Sequence, residues 1–589
     1  MELQSLIYLF VGVSFTIYFG LALWTKSTST KDFYIAKNSF NPVINGLSIA
    51  VDFMSAVTFV ALIGIVVHLA TDGTAYILGF TGGFVLLSLL VVPYLRKFGK
   101  FSISEFFATR YYSGFIKRLT IFIIILVSFI YISAQMKAIG IVFARIFQID
   151  KDIALIIAII IAFLYSLIGG IRQMNYTQIA QYIIILFAFL TPAFYLSYEL
   201  VEVFLPQLAL FSKTTFAFDS GVQTIEKGTY LLHALNSALG DFGFSYTSSS
   251  DLFNIFTISL SLMLGVAVLP HILVKFISTP SVKASRESVF WAMVFIAILY
   301  SSIASIAALS KVNIYKNVQN VEYEEFINSN SKQNSGKWLK TWEDIKYVEF
   351  NDLNKNERID VNPSNRNELS INSDVLTLIN PEIANLPNWT IALILAGALA
   401  ASLSTLTGLF IVISSHLPIN KRGTKRKVLE KFLILSTIIL ASYFYIPNLS
   451  IVNLVAISFG ILASTIFPTL ILGIYTKFIN KTGAIFGMIF SLLFTLIYII
   501  YFLYINPNEN SYLFGISPFG IGIFGAILNT IIAIIVSKFT KKVPEEIIEF
   551  IDKLQNFKEL EVKNNQNKES LWVFKTKRYF YQTFTHLSF

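Results

Sequence analysis

The stretch LSIAVDFMSAVTF, from Leu47 to Phe59, places a carboxylate inside a long apolar segment. From Pro42 to Ala70 the chain is almost wholly apolar and long enough to cross a bilayer, yet Asp52 lies near the middle. A charge there costs about 2.5–3.5 kcal/mol even on the lenient insertion scale. Two interpretations stay open. Asp52 is either buried against a lysine or backbone N–H groups without a transport role, or it belongs to an ion pathway.

The composition indicates a polytopic membrane protein. Of the 589 residues, 55% are hydrophobic and only 14% are charged, too few to cover the surface of a soluble protein of this size. The net charge of +10 does not by itself indicate nucleic acid, because in a membrane protein the position of the basic residues decides their meaning. The chain has no cysteine, which excludes disulfides and thiolate metal sites.

Apolar runs of about 20 residues recur along the chain and predict thirteen transmembrane helices. The run from Leu6 to Trp24 has no basic residue before it and no small-x-small cleavage pattern after it, so we interpret it as a retained helix and not as a signal peptide. The predicted spans are 4–24, 42–69, 74–95, 118–146, 152–170, 175–199, 252–275, 288–310, 389–415, 430–446, 450–475, 482–505 and 517–538.

Basic residues are distributed unevenly among the predicted loops and therefore indicate an orientation. They concentrate in residues 24–41, 95–118, 276–287 and 416–431, whereas the connections 71–74 and 446–449 hold none. With thirteen spans, the four basic loops fall on one side of the membrane. The positive-inside rule then predicts the N-terminus outside and the C-terminus inside.

The spacing of the spans fits two five-helix repeats of opposite orientation, a five-plus-five inverted repeat. The span beginning at Leu252 lies five spans after the one beginning at Pro42, and an odd number of spans inverts the second copy. The predicted organisation is a first helix at 1–30 outside the core, a first repeat at 42–199, an external loop at 200–251, a second repeat at 252–475 with a long external loop at 311–388, two further helices at 482–538, and a cytoplasmic tail at 539–589.

The long external loop contains one stretch with metal-loop character. DLNKNERID, from Asp352, begins with the Asp-x-Asn-x-Asn spacing of a calcium loop. Glu357 replaces the glycine at the sixth position, and Pro363 occupies the twelfth. A solvated turn is therefore the preferred interpretation.

A second polar cluster, ALAASLSTLTGLF from Ala398 to Phe410, lies inside an uncharged span. Ser404 and Thr405 follow Ala401 by three and four residues, so the three residues share one helical face. The Ala401 carbonyl and the two hydroxyls present three oxygens that suit a hard cation. The alternative that both hydroxyls only bond the backbone one turn back stays open.

Two further stretches supply candidate substrate residues. In LGVAVLPHILVKF (264–276), Gly265 and Pro270 interrupt a span before His271 and Lys275, and interrupted helices in the two halves point to a transporter's binding site. In YISAQMKAIG (131–140), Gln135 lies beside Lys137, which either snorkels to the outer interface or attracts an anion. The candidate substrate residues are Ser55, Gln135, Lys137, Gly265 and His271.

Six stretches together resemble the sodium/solute symporter family and, within it, the cation/acetate permeases. They cover most of the chain from Asp32 to about Leu417. The stretches are DFYIAKNSFNPVINGLSIAVDFMSA, GFTGGFVLLSLLVVPYLRKFGKFSISEFFATRYYS, SAQMKAIGIVFARIF, YTQIAQYIII, LPHILVKFISTPSVKASRESVFWA and AGALAASLSTLTGLFIVISSHL.

This resemblance implies an inverted-repeat core, here the second to the eleventh span, that works by alternating access. It also implies a sodium site between the first and eighth core helices, beside which Asp52 lowers the potential for a cation. His271 stands where some relatives have an aromatic gate, so no gating role is carried over. The implied sodium ligands are the carbonyls of Ala50, Phe53 and Ala401 and the hydroxyls of Ser404 and Thr405.

The sequence therefore predicts an all-α polytopic membrane protein, not an enzyme, that imports a small monocarboxylate such as acetate with sodium. Its expected partners are a small organic anion and the lipid bilayer of a bacterial cytoplasmic membrane, and no nucleic acid is expected. A proline-, pantothenate- or sugar-type substrate and, on the same scaffold, a membrane sensor are the alternatives. The solute, the ion stoichiometry, sodium against proton coupling and the oligomeric state stay open.

Overall fold

Long helices form most of the protein, and the strands are all two or three residues long in the part that the structure describes. The computed structural model describes residues 2–25, 41–69, 72–99, 102–166, 171–219, 224–239, 249–277, 279–328, 336–362, 366–416, 424–443 and 449–556. The all-α polytopic class is thereby confirmed.

The helices are numbered here in chain order. They are α1 (Leu3–Trp24), α2 (Pro42–Phe53), α3 (Val57–Leu69), α4 (Thr74–Phe98), α5 (Ile103–Arg110), α6 (Gly114–Phe147), α7 (Lys151–Ser166), α8 (Ile171–Val201), α9 (Pro206–Ala209), α10 (Leu231–Leu239), α11 (Ser249–Val266), α12 (Pro270–Ile277), α13 (Val282–Val318), α14 (Tyr323–Asn328), α15 (Lys337–Asp344), α16 (Leu376–Ile383), α17 (Asn388–His416), α18 (Thr424–Tyr443), α19 (Ile451–Tyr475), α20 (Lys481–Ile500), α21 (Gly522–Phe539) and α22 (Glu545–Gln555).

The strands form four antiparallel pairs, all in the connections before α11 and α17. They are β1 (Phe218–Asp219), β2 (Thr224–Ile225), β3 (Val321–Glu322), β4 (Val348–Phe350), β5 (Arg358–Ile359), β6 (Val361–Asn362), β7 (Arg366–Asn367) and β8 (Leu369–Ile371), paired as β1–β2, β3–β5, β4–β8 and β6–β7.

Nine helices of the described chain are long and apolar enough to cross a membrane, and two bent pairs, α2–α3 and α11–α12, bring the number to eleven. The other two predicted spans coincide with the 16-residue helix α7 and with the apolar part of α18, Lys431–Tyr443. Residues 167–170 and 444–446 of these spans lie outside the description. Thirteen spans and the inverted repeat therefore stay predictions. The orientation does too, because residues 26–40, 100–101 and 417–423 of the basic loops are not described.

The first broken helix is interrupted at Met54 and Ser55. Helix α2 begins at Pro42, where Asn41 caps it by accepting a bond from the Val43 N–H. Beyond the break, the Ser55 hydroxyl accepts the Val57 N–H at 3.3 Å and so caps the start of α3. The two halves are bent by 56°, and this opens the backbone at mid-segment, beside Asp52.

The second broken helix is interrupted at residues 267–269. Helix α11 ends at Val266, α12 begins at Pro270, and the halves are bent by 43°. Proline has no N–H to continue the helical bonding of α11 but fits the first position of a new helix, so Pro270 explains the location of the break. The two breaks fall in the spans that the sequence places five apart.

Close packing brings these broken helices against their neighbours. A Cβ at Gly46 of α2 would lie 2.8 Å from the carbonyl oxygen of Ser288 in α13, so only glycine allows this approach. Helix α17 packs against α2 and α8, and every residue in its most apolar window is buried. Helix α17 is thus the central helix that faces the first break.

The long loop between α13 and α17 packs onto the core through its C-terminal part. A Cβ at Gly64 in α3 would lie 1.7 Å from the carbonyl oxygen of Ser373.

Farther out in the same loop, the carboxylate of Asp352 accepts the backbone N–H groups of Asn356 (3.2 Å) and Glu357 (2.9 Å). The Asp352 side chain therefore closes its own turn, as the solvated-turn interpretation expects.

Helix α22 packs against the core. Ile551 and Leu554 are buried, and the Phe98 and Phe550 rings lie 5.9 Å apart. The rest of the predicted tail, residues 557–589, lies outside the description.

Candidate functional site

A cavity lies where the two broken helices meet. The space in it that a water-sized molecule can enter is about 10 Å³, so the cavity is narrow in this structure. Residues from both breaks contribute to its wall, with Asp52 to Thr58 on one side and Leu269 on the other. The lining residues are Asp52, Phe53, Ser55, Val57, Thr58, Phe80, Tyr131, Leu269, Ile272, Tyr300, Val455 and Phe459.

Hydroxyl groups and aromatic rings make up the chemistry of this cavity. The Tyr131 hydroxyl donates to the Ser55 hydroxyl at 3.1 Å, and the hydroxyls of Thr58 and Tyr300 are 2.7 Å apart. The rings of Tyr131 and Phe459 meet edge to face at 5.6 Å. The cavity can therefore bind a polar group at its hydroxyls and an apolar group at its rings. Ser55, one of the predicted substrate residues, lies at its wall.

A cluster of oxygens lies beside the cavity, between α2 and α17. The Thr405 hydroxyl lies 3.2 Å from the Asp52 carbonyl oxygen, and the Ser404 hydroxyl lies 3.5 Å from that of Val51. Both hydroxyls also donate to the Ala401 carbonyl, at 2.8 Å from Ser404 and 3.4 Å from Thr405. The hydroxyls thus bond the backbone one turn back and reach across to the other helix as well.

Two of the predicted sodium ligands have other partners. The Ala50 carbonyl accepts the Met54 N–H at 2.8 Å, and the Phe53 carbonyl accepts the Thr58 hydroxyl at 3.2 Å. The α2 carbonyls that the Ser404 and Thr405 hydroxyls contact are instead those of Val51 and Asp52, which lie between Ala50 and Phe53 in the sequence. Neutral oxygens from an unwound helix and a facing helix are the donor set that transporters offer to sodium. The chemistry of the cluster suits the ion, and the whole set of sodium ligands stays a prediction.

Asp52 forms a buried ion pair. Its Oδ2 lies 2.5 Å from Nζ of Lys275 on α12, and both side chains have no exposed surface. The lysine partner considered from sequence is therefore present. The carboxylate nevertheless lies against α17, because a Cβ at Gly408 would be 3.4 Å from Asp52 Oδ2. The pair and the oxygen cluster are thus adjacent.

A polar network holds this ion pair in place. The Lys275 ammonium donates to the Ser48 carbonyl (2.7 Å), the Ser48 hydroxyl (2.9 Å) and the Gln178 side-chain oxygen (2.7 Å). The Gln178 amide donates to Asp52 Oδ1 at 2.5 Å and lies 3.4 Å from the Ser404 carbonyl oxygen. Gln178 therefore connects the ion pair to the oxygen cluster.

Gln135 and His271 lie near the cavity with unused polar atoms. The Gln135 side-chain oxygen accepts the Ala56 N–H at 3.4 Å, and its amide nitrogen has no partner among the described residues. Neither ring nitrogen of His271 has a partner there either, and its ring lies 5.7 Å from that of Tyr131. Both residues stay predicted substrate residues.

Lys137 does not line the cavity, and this corrects the prediction of a substrate contact. Its ammonium pairs with Asp374 at 2.7 Å and donates to the Leu449 carbonyl at 2.8 Å. Its ammonium is paired away from the cavity lining, because the long loop supplies its counter-charge. Lys137 thus ties that loop to α6.

Gly265 has a packing role, which also corrects the prediction of a substrate contact. A Cβ there would lie 2.3 Å from the carbonyl oxygen of Phe459 in α19. The residue is absent from the cavity lining. Glycine is needed because the backbones of α11 and α19 meet directly behind the cavity wall.

Three residues of the network were not predicted as site residues from the sequence. Lys275, Gln178 and Ser48 are all completely buried. The sequence did indicate Lys275, because a lone lysine in an apolar span needs a charge partner and Asp52 needs one too. Gln178 and Ser48 gave no signal, because single polar residues in membrane helices are common and their neighbours depend on the fold.

The chain is similar to known proteins in sequence and in fold. A sequence model described as the sodium:solute symporter family matches residues 33–321 and 370–491. An uncharacterized symporter of Cupriavidus necator is 28% identical over 638 aligned residues, with 91% of each chain covered. The structure of a substrate-bound, outward-open Na⁺-coupled sialic acid symporter has a TM-score of 0.64 at 14% identity and covers 92% of this chain and 99% of that one, a similarity that shows the fold alone.

Proposed function

Since the chain belongs to the sodium:solute symporter family, we propose that it imports a small monocarboxylate such as acetate together with sodium. Sodium-coupled symport across a membrane follows from the family, which is a transporter family and not an enzyme family. The nature of the solute, the residues that bind it and the sodium ligands are our proposal. So are the bacterial cytoplasmic membrane and the orientation with the N-terminus outside.

The cavity at the junction of the two broken helices is the observation on which the proposal depends. Helices α3 and α12 both begin at this cavity, with Val57 and Leu269 in its wall. The N-terminal end of a helix carries partial positive charge, and half-helices aimed at a transporter's binding site favour an anionic group. Two such ends favour a carboxylate.

The lining of the cavity favours a small acid. A carboxylate accepts bonds from the hydroxyls of Ser55 and Tyr131, while a methyl group packs on the rings of Phe80 and Phe459. A sugar or pantothenate offers many more polar groups than this lining would satisfy.

We place the sodium ion at the oxygen cluster between α2 and α17. An ion bound by Ser404, Thr405 and the α2 carbonyls joins the broken helix to the central helix and so stabilises the form that receives substrate. The two ligands must then raise each other's affinity by the same factor.

Uptake of labelled acetate into proteoliposomes tests the proposal. An inward sodium gradient should drive acetate accumulation, and a potassium gradient should not. Unlabelled propionate should compete, whereas acetamide, proline and glucose should not. Sodium-driven uptake of proline or glucose, without uptake of acetate, would contradict the monocarboxylate and favour the alternative substrates.

A further inference from the structure

The wall of the cavity carries a single formal charge within the described chain, and that charge is already compensated. Asp52 is the only acidic or basic residue among those lining the cavity. Lys275 neutralises it from 2.5 Å away, in a pair without exposed surface. The wall thus contributes almost no net charge.

Lys275 is fixed in this role by its hydrogen bonds. Its ammonium donates to the carbonyl and hydroxyl of Ser48 and to Gln178 while it contacts Asp52. A lysine ammonium has three protons, so these acceptors use its donor capacity. It does not turn towards a substrate without breaking the network.

We propose that Lys275 makes sodium binding depend on an anionic substrate. A sodium ion at the oxygen cluster would lie beside the backbone carbonyl of Asp52, whose carboxylate would attract it if Lys275 were absent. Because Lys275 cancels that attraction, the fixed charge available to the ion is near zero. The substrate carboxylate then supplies the counter-charge. This inference rests on the proposed function and names the electrostatic basis of its coupling.

A charged and a neutral ligand of the same shape should therefore differ in their effect on the affinity for sodium. Acetate should increase sodium affinity by about tenfold, within the range usual for coupled sites. Acetamide, which replaces the carboxylate with a neutral amide, should leave sodium affinity unchanged within twofold. Neutralising Lys275 should make sodium bind without the anion.

Sodium titrations of the purified full-length protein, followed by thermal unfolding with and without acetate or acetamide, test this. Lys275→Met should bind sodium at least tenfold more tightly in the absence of acetate, and acetate should then add less than threefold. Lys275→Arg, which keeps the charge, should retain wild-type coupling. The double variant Asp52→Asn/Lys275→Met, which removes both charges, should recover the acetate dependence.

Controls separate this inference from the proposed function. Lys137→Met breaks a different buried ion pair and should leave the coupling unchanged, which excludes a general effect of losing such a pair. The inference is overturned if acetate still raises the sodium affinity of Lys275→Met about tenfold, or if acetamide raises the sodium affinity of the wild type as much as acetate does. Either result overturns it even where sodium-driven acetate uptake is intact. Loss of sodium-driven uptake by the wild type itself contradicts the proposed function. If Lys275→Met fails to fold, the double variant Asp52→Asn/Lys275→Met tests the inference instead. Sodium binding that does not depend on acetate in this variant, which lacks both charges, also overturns the inference.

Discussion

Nζ of Lys275 lies 2.5 Å from Oδ2 of Asp52, so an ion pair without solvent contact joins α12 to α2. These are segments of two different broken helices, and the cavity lies at both breaks. Removing one partner of a buried pair leaves an uncompensated charge and typically costs 3–5 kcal/mol, whereas removing both costs much less. Substitutions here must therefore be interpreted in pairs.

Asp52→Asn should weaken sodium binding on the order of 10- to 100-fold, because the unpaired Lys275 ammonium then repels a cation at the adjacent oxygens. The apparent sodium affinity of acetate uptake measures this. Asp52→Asn/Lys275→Met should recover most of the affinity. Sodium dependence like that of the wild type in the single variant would mean that the ion binds elsewhere.

Ser404→Ala combined with Thr405→Ala should abolish sodium-stimulated uptake, because both hydroxyls that face α2 are lost. The matched control is Ser402→Ala on the same helix, since the Ser402 hydroxyl donates to Ala398 in its own helix. Initial rates of acetate uptake over a series of sodium concentrations compare the variants. Full stimulation in the double variant, or an equal loss in Ser402→Ala, would count against this sodium site.

Ser55→Ala should raise the KM for acetate by about tenfold, since it removes a hydroxyl from the cavity wall and one partner of Tyr131. Ser302→Ala is the control, because that buried hydroxyl only donates to Leu299 in its own helix. Concentration series of labelled acetate give both KM values. An unchanged KM in Ser55→Ala would remove this residue from the substrate site.

Gly265→Ala should destabilise the protein severely, because the added methyl group would lie 2.3 Å from the Phe459 carbonyl oxygen. Gly140→Ala adds the same group where its nearest neighbour is 3.6 Å away and should be tolerated. Thermal unfolding of the purified variants compares them. Equal melting temperatures would mean that α11 and α19 do not pack as described.

Lys137→Gln should leave the KM for acetate within twofold of the wild type but lower the melting temperature, because Asp374 loses its charge partner. Adding Asp374→Asn should restore part of the stability. A clear rise in the KM of Lys137→Gln, with its stability unchanged, would return Lys137 to the substrate site.

The sequence predicted the features that depend on local chemistry. Helix length followed from apolar runs, the break at Pro270 followed from proline, and the approach of Ser404 and Thr405 to the Asp52 region followed from a family resemblance. It could not predict that Lys137 pairs with Asp374, since the loop carrying Asp374 is 237 residues away and its course depends on the fold. Gly265 was misassigned for the same reason, because its partner Phe459 is distant in sequence.

The flux of radiolabelled sodium into proteoliposomes, measured with and without acetate, tests the central claim that oxygens of α2 and α17 hold the driving ion. Acetate should stimulate sodium entry in the wild type and in Ser402→Ala, and it should have no effect in Ser404→Ala/Thr405→Ala. Sodium entry that acetate does not change, or that the double variant retains in full, would contradict the account.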